Sequence, residues 1–337
     1  MMARQNIGYT AGIETTAVAP EWIEKSRLMD HIITISNHSK DVFKNTSYSI
    51  QHRDQNSSSV VQNDFRCKTP IEVVHYPVRE LADEQLDIEL EHEFNFLTVA
   101  QWGPRKDLEN TIRWFVEEFI DQEVGLVVKT FSGNNSTPDK FTTRQMLESI
   151  LSKYKNRKCK VYLIHGAMKD SELNSLYKYP KIKAYVTLTH GEGFGLPIFE
   201  AAYNGLPVAA PDWSGHLDFL YMPEKNKKGR RTKLKPKFAR IEYDMVRIPP
   251  EVVWDGVLIA DSGWCQAKQS SYKMNLRRMF KDIKAYEKDA TQLQKWILNN
   301  FSEEQQYAKF VEAVQRVQSV YAESSEDAND GFSFEIK

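Results

Sequence analysis

The residues best placed to do chemistry lie in one run: His190-Gly191-Glu192-Gly193-Phe194-Gly195-Leu196-Pro197-Ile198-Phe199-Glu200-Ala201-Ala202. An apolar stretch, Ala184 to Thr189, precedes it, and a segment of helical character, Pro197 to Asn204, follows. A strand running into a helix through such a loop leaves the first helical N–H groups unpaired, which suits a phosphate. Gly193 and Gly195 carry no Cβ, so backbone there can approach a ligand closely. Pro197 fits the first helical turn, where its missing N–H costs nothing. Glu192 in the loop and Glu200 in the first turn can then face one crevice beyond the carboxyl end of a strand. A carboxylate accepts from two neighbouring hydroxyls, as on a ribose diol or a hexose. The alternative is a plain glycine-rich turn in which Glu200 only favours the helix dipole.

The run Glu192-Gly193-Phe194-Gly195-Leu196-Pro197 with Glu200, followed by Gly205-Leu206-Pro207-Val208, resembles the family 4 retaining glycosyltransferases of GT-B fold. Their signature is two glutamates separated by seven residues, and the likeness covers most of the stretch 94–220. The resemblance implies that Glu200 holds the nucleotide ribose and that Glu192 contacts the transferred sugar. Amides around Gly193, Phe194, Gly195 and Leu196 would serve sugar hydroxyls and the distal phosphate. A second match is Gln101-Trp102-Gly103-Pro104-Arg105-Lys106-Asp107. Family members carry an arginine and, about five residues on, a lysine that together clamp the pyrophosphate. Lys106 fits the lysine, Gln101 departs from the arginine, and Arg105 is the cation that would compensate. Fixed cations there would stabilise the charge of a departing nucleoside diphosphate. Lys129 and Gly166 to Met168 are expected to border the donor pocket, with base contacts made by backbone, and His165 is expected to be structural. Glu14 is the candidate on the acceptor side. No Asp-x-Asp occurs, and no metal or cofactor is expected beyond the nucleotide-sugar donor itself.

These residues require a scaffold, and the pattern supplies one. Phe94 to Ala100, Val124 to Phe131, Lys160 to Ile164, Ala184 to Thr189 and Leu206 to Ala210 read as strands. Helical patterns alternate with them at Asp107 to Phe119, Thr143 to Tyr154, Ser171 to Tyr179 and Pro197 to Asn204. In the first, Leu108, Ile112, Phe115, Val116 and Phe119 form one apolar stripe. Near-continuous apolar strands alternating with helices mean a parallel sheet covered on both faces. The alternation runs to about 270, and a donor domain is placed at 94–300. Upstream, strands are expected at Ile7 to Ile13, His31 to Ser36 and Ile71 to Tyr76, helices at Trp22 to Met29 and Ser39 to Phe43, and a loop from Asn45 to Lys68. The expected fold is therefore α/β of GT-B type: two Rossmann-like domains with parallel sheets, the first (1–78) shortened and holding the acceptor. A linker spans 79–93, a helix at 301–322 crosses back, and an acidic tail covers 323–337.

Of 337 residues, 45 are Lys or Arg and 46 Asp or Glu, for a net charge of -1. Lys225 to Arg240 holds nine of the cations and no carboxylate, leaving the rest of the chain about ten units negative. Such a segment attracts a polyanion or is a solvated insertion. Trp254 and Trp264 are expected to pack. Three scattered cysteines argue for a reducing compartment, and no apolar run is long enough to span a bilayer, which points to the cytoplasm. The competing readings are a non-catalytic nucleotide-sugar binder and a glycosyltransferase acting on modified DNA. Donor base, sugar, acceptor and oligomeric state stay open.

Overall fold

The computed structural model describes residues 5–53, 59–225 and 232–327. Its larger sheet contains six strands: β6 (Asn95–Val99), β7 (Gly125–Thr130), β8 (Lys160–His165), β9 (Ile182–Val186), β10 (Val208–Pro211) and β13 (Ala239–Ile241). They run in the order β13-β10-β9-β6-β7-β8, all parallel. The period of two along each strand sorts the core into two layers. Phe96, Leu126, Val128, Ala184, Val186 and Ala209 face one side with α3 (Leu108–Phe119), α4 (Thr137–Leu151) and α8 (Gln269–Lys281). Leu97, Val99, Val127, Tyr185, Val208 and Ala210 face the other with α5 (Asp170–Tyr177), α6 (Leu196–Tyr203) and α9 (Ile283–Asn300). Each fully buried Leu, Val or Phe here contributes about 1.5–3 kcal/mol. The apolar stripe expected on α3 is buried residue for residue. Its first residue follows Asp107, which takes φ 46° and whose carboxylate accepts from Asn110 rather than capping a backbone N–H.

The front lobe has a three-stranded parallel sheet, β1 (Ile7–Thr10), β2 (His31–Thr34) and β5 (Ile71–Val73), in the order β1-β2-β5. Helices α1 (Pro20–Ser26) and α2 (Asn37–Asn45) pack with it around Ile13, Val18, Ile23 and Phe43. Where the sequence pattern predicts a loop, Asn45 to Lys68, the chain forms an antiparallel hairpin, β3 (Ser47–Arg53) and β4 (Ser59–Arg66). Its polar composition hid it, although Phe65 near its base is buried and the Tyr48 hydroxyl donates to the Val18 carbonyl.

The acidic segment 79–93 has no regular secondary structure, yet it is strapped to the back lobe. Leu86, Ile88 and Leu90, at alternate positions, pack into the core, Ser175 Oγ accepts from the Glu84 N–H at 2.7 Å, and Lys178 pairs with Asp83 at 2.6 Å. The last helix, α10 (Glu303–Asp327), runs five residues past the predicted end at 322. It returns to the front lobe, where Ala313 is buried against Ile33 and Val74. The remainder of the predicted tail, 328–337, lies outside the described residues.

Around the basic segment, β11 (Tyr221–Lys225) pairs with β12 (Thr232–Pro236), and residues 226–231 lie outside the described ones. Lys235 and Lys237 both bind Glu224 at 2.6 Å, Lys237 also reaches Asp289, and Arg240 binds Asp212 at 3.3 Å. Among the described residues, Lys235, Lys237 and Arg240 are thus paired internally, and Arg240 sits in a sheet strand rather than in an insertion. A second hairpin, β14 (Tyr243–Arg247) with β15 (Gly263–Ala267), has no counterpart in the predicted elements. It matters for the site below.

Candidate active site

Strand β6 ends at Val99, and the chain turns through a short 3-10 segment, Pro104–Lys106, before α3 begins. Strand β9 ends at Val186 and leads to the glycine loop. Both turns sit at the carboxyl edge of the sheet and are knitted together: the Arg105 carbonyl accepts from the His190 N–H at 2.8 Å, and Arg105 Nη1 donates to the Gly191 carbonyl at 2.7 Å. This brings three predicted residues into one cluster. Lys106 Nζ lies 2.5 Å from Glu192 Oε1, and Arg105 Nη1 3.4 Å from Glu192 Oε2. Arg105 Nη2 reaches Glu14 Oε1 of the front lobe at 3.2 Å. Glu14, sought on the acceptor side, therefore joins the same charge network.

Glu192 is buried, and burial alone would raise its pKa; the charges of Lys106 and then Arg105, with a hydrogen bond from Lys106, hold it down at about 2. Burial lowers the pKa of Lys106, and Glu192 opposes that shift. The pair is thus a charged couple in a largely dry setting. The loop Trp213-Ser214-Gly215, which follows β10, closes the other side. Ser214 Oγ accepts from the Glu192 N–H at 3.0 Å, and the Gly215 N–H donates to the Glu192 carbonyl at 2.9 Å. Ser214 holds a left-handed φ of 89°, unusual for a residue with a side chain. Sequence reading missed it; the Ser-Gly pair after a strand was the available signal.

Two of the loop glycines also face the front lobe. A Cβ on Gly193 would stand 2.5 Å from the Ala11 carbonyl oxygen, and one on Gly191 would stand 2.0 Å from that of Glu14. These two positions make room for the front-lobe loop. Gly195 has φ 91° and forms the N-cap of α6. Phe194 points its ring into an aromatic cluster with Tyr76, Phe199 and Phe219, so only its backbone is available to a ligand, while the Leu196 side chain is exposed. Among the described residues, no acceptor pairs with the N–H groups of Gly193, Phe194, Gly195 and Leu196. Unpaired N–H groups at the start of a helix suit an anion.

Glu200 lies apart from this cluster. Its Oε2 accepts from the Tyr177 hydroxyl at 3.0 Å, and burial pushes its pKa up to about 6, with the Tyr177 bond, Arg79 and Lys129 opposing the rise. Lys129, buried at the end of β7, has its pKa lowered by burial while Glu200 opposes the shift. The two glutamates face different partners, and burial first, then the charges of both carboxylates, raise the pKa of Tyr185. Tyr177 and Arg79 were not among the predicted site residues; both come from segments whose sequence gives no chemical signal. Gly166, at φ 91°, has Asn135 Oδ1 where its Cβ would be, and Met168 packs half-buried against the α6 layer. His165 bonds Asp139 at 2.8 Å and braces the loop after β7, a structural role. Gln101 donates to the Ser132 carbonyl at 3.1 Å, so no cation stands at that position. Among the described residues, no group of three or more His, Cys, Asp or Glu could hold a metal ion, and no helix is long and apolar enough to cross a membrane.

No protein-family model and no curated protein matches this chain. Solved structures do. The pneumococcal O-GlcNAc transferase GtfA, in complex with UDP and GlcNAc, superposes with a TM-score of 0.52 at 13% identity, over 93% of this chain and 52% of GtfA. Anabaena HepE, in complex with UDP and glucose, gives 0.58 at 12% identity over 93% of this chain and 72% of HepE. A glycosyltransferase from Rickettsia africae gives 0.58 at 12% identity, over 93% and 70%. The chain spans about half the length of GtfA. The architecture is the GT-B fold.

Proposed function

We propose that this chain is a retaining glycosyltransferase that moves a sugar from a nucleotide-sugar donor to an acceptor hydroxyl. The observation that carries the reading is the Lys106–Glu192–Arg105 cluster beside four unpaired amides at the head of α6. A diphosphate needs fixed positive charge that is already in place when the bond to the sugar breaks. Lys106 and the amides supply it from the chain itself, so the reading invokes neither metal nor cofactor. Glu192, anionic and immobile, orients the sugar hydroxyls. Glu200, steadied by Tyr177, takes the ribose diol, and the backbone at Gly166 to Met168 with Lys129 borders the base and phosphates. The bond from the anomeric carbon to the phosphate oxygen breaks and a bond to the acceptor oxygen forms on the same face. The acceptor's proton passes to the leaving phosphate, and nucleoside diphosphate departs. Because GtfA and HepE were solved with UDP, uridine diphosphate is the first nucleotide to try. Three free, buried cysteines fit a reducing compartment, and we place the reaction in the cytoplasm.

Thermal unfolding of the purified chain with and without nucleoside diphosphates tests this reading. A ligand at about a hundred times its Kd adds roughly 2.7 kcal/mol, which raises the midpoint by at least about 2 °C. UDP should give such a shift, and Glu200→Ala should lose it. No shift with UDP, ADP, GDP or any of their sugar conjugates would overturn the assignment.

A further inference from the structure

The hairpin β14–β15 carries a long tip, 248–262, folded back over the turn that holds Arg105 and Lys106. Two tethers fix it to the front lobe. At its base the Thr16 N–H donates to the Gly263 carbonyl at 2.9 Å, and the Gly263 N–H donates to Thr16 Oγ1 at 2.8 Å. At its apex the Gly256 carbonyl accepts from Trp22 Nε1 at 2.6 Å, and Gly256 itself sits at φ 74° in a turn closed by Trp254 and Leu258. Between this tip and the 101–106 turn lies a cavity of about 390 Å³. Its back wall is Trp264, buried and stacked on His190 at 4.5 Å between ring centroids. Its rim is Trp254, which is 66% exposed, contrary to the expectation that it packs.

The exposed indole of Trp254 borders this cavity, where an apolar ring face can lie against it. Arg105 and Lys106, which the donor reading sets against the diphosphate, line one wall of the cavity, so a group seated here lies beside the leaving phosphate. The remaining polar groups are the Gln101 amide and the Glu251 carboxylate, hydrogen-bonding partners for hydroxyls, while Val252, Leu258 and the Trp254 face offer apolar area. A ring with C–H bonds on its face and hydroxyls on its edge matches this lining. The residues assigned to the ribose and base side of the nucleotide, Lys129, Gly166, Met168 and Glu200, do not line this space. Resting on the glycosyltransferase reading, we propose that the cavity is an acceptor-side subsite for a neutral saccharide ring, with Trp254 as its stacking platform and Gln101 and Glu251 as hydroxyl partners.

Saturation-transfer NMR with methyl α- and β-glycosides of glucose, galactose, mannose and N-acetylglucosamine tests it. At least one should receive saturation on the C–H protons of one ring face, with and without saturating UDP. Trp254→Ala should weaken that binding roughly tenfold and Trp254→Phe should largely keep it. The UDP-induced thermal shift, measured on the same samples, should be unchanged in Trp254→Ala, whose exposed side chain leaves the fold alone. If no glycoside binds while UDP does, the subsite is overturned and the donor reading stands. Binding that survives in Trp254→Ala, or that UDP abolishes, also overturns it. If none of UDP, ADP, GDP and their sugar conjugates shifts the unaltered chain, the donor reading falls, and the acceptor assignment falls with it.

Discussion

Lys106 Nζ and Glu192 Oε1 meet at 2.5 Å although 86 residues separate them in the chain, one on the turn after β6 and the other on the turn after β9. Their neighbourhood is dry enough that the pair matters to stability as well as to chemistry. Glu192 titrates near 2 in the fold and near 4.5 when unfolded. A depressed carboxylate stabilises the fold above its unfolded value and loses that contribution as pH falls toward the folded one. The contribution at neutral pH is roughly 3 kcal/mol. Between pH 6 and pH 3 the unaltered chain should therefore lose about 2 kcal/mol more than Glu192→Gln does, measured by urea unfolding at each pH. Parallel pH profiles for the two proteins would mean that the couple is not formed in solution.

The two clusters should separate kinetically. Lys106 acts on charge that grows as the donor bond breaks, so Lys106→Ala should lower kcat by about a hundredfold or more with a smaller change in the donor's KM. Glu200 acts on the bound ribose in ground and transition states alike. Glu200→Ala should raise the donor KM by roughly tenfold to a hundredfold and leave kcat within a few fold. Steady-state release of nucleoside diphosphate from the donor that stabilises the chain gives both parameters. Equal losses of both parameters in the two variants would erase the distinction.

Glu200 also predicts a pH dependence of binding. Its carboxyl is pushed up to about 6, chiefly by burial, and only the ionised form accepts from both ribose hydroxyls. Affinity for UDP-glucose, whose diesterified diphosphate does not titrate in this range, should rise roughly tenfold from pH 5 to pH 7 with a midpoint near 6. In the free chain the sign for stability is opposite. A raised carboxyl pKa removes about 2 kcal/mol as pH climbs from 4.5 through about 6. Glu200→Gln should flatten both curves, by calorimetric titration and by unfolding.

Much of this was legible in the residues because burial on both faces writes itself into composition. Phe96-Leu97-Thr98-Val99 and Gly125 to Val128 could hardly be anything but interior parallel strands, and the α3 stripe followed from spacing alone. Local signals fared worse where they were faint. Helix α4 begins at Thr137, six residues before the predicted start, because Ser136 caps it through the Asp139 N–H while its first turn is polar. Glycines announced that something comes close, but not what. At Gly191 and Gly193 the neighbours are carbonyls of Glu14 and Ala11, nearly two hundred residues away in sequence. The meeting of Glu14 with Arg105 is of the same kind: it follows from how the lobes close, which no periodicity encodes. Packing is the expectation for Trp254 because large apolar side chains are buried on average, and its exposed indole departs from that average.

That lobe contact supplies the last prediction. A methyl group on Gly191 would sit 2.0 Å from the Glu14 carbonyl oxygen and 2.8 Å from the Trp213 ring, and the first of these is backbone that cannot rotate away. The Ala11–Glu14 loop must then lift, taking Glu14 from Arg105 and uncovering the glycine loop. Gly103 is the matched control, since a methyl there meets no atom within 4 Å and its φ of -152° suits any residue. Gly191→Ala should lower the melting temperature by several degrees and enlarge the radius of gyration in solution scattering, whereas Gly103→Ala should stay within about 0.5 kcal/mol of the unaltered chain. If both behave like the control, the front-lobe loop does not rest on the glycine turn in solution, and the cluster joining Glu14, Arg105 and Glu192 would form only when a ligand draws the lobes together.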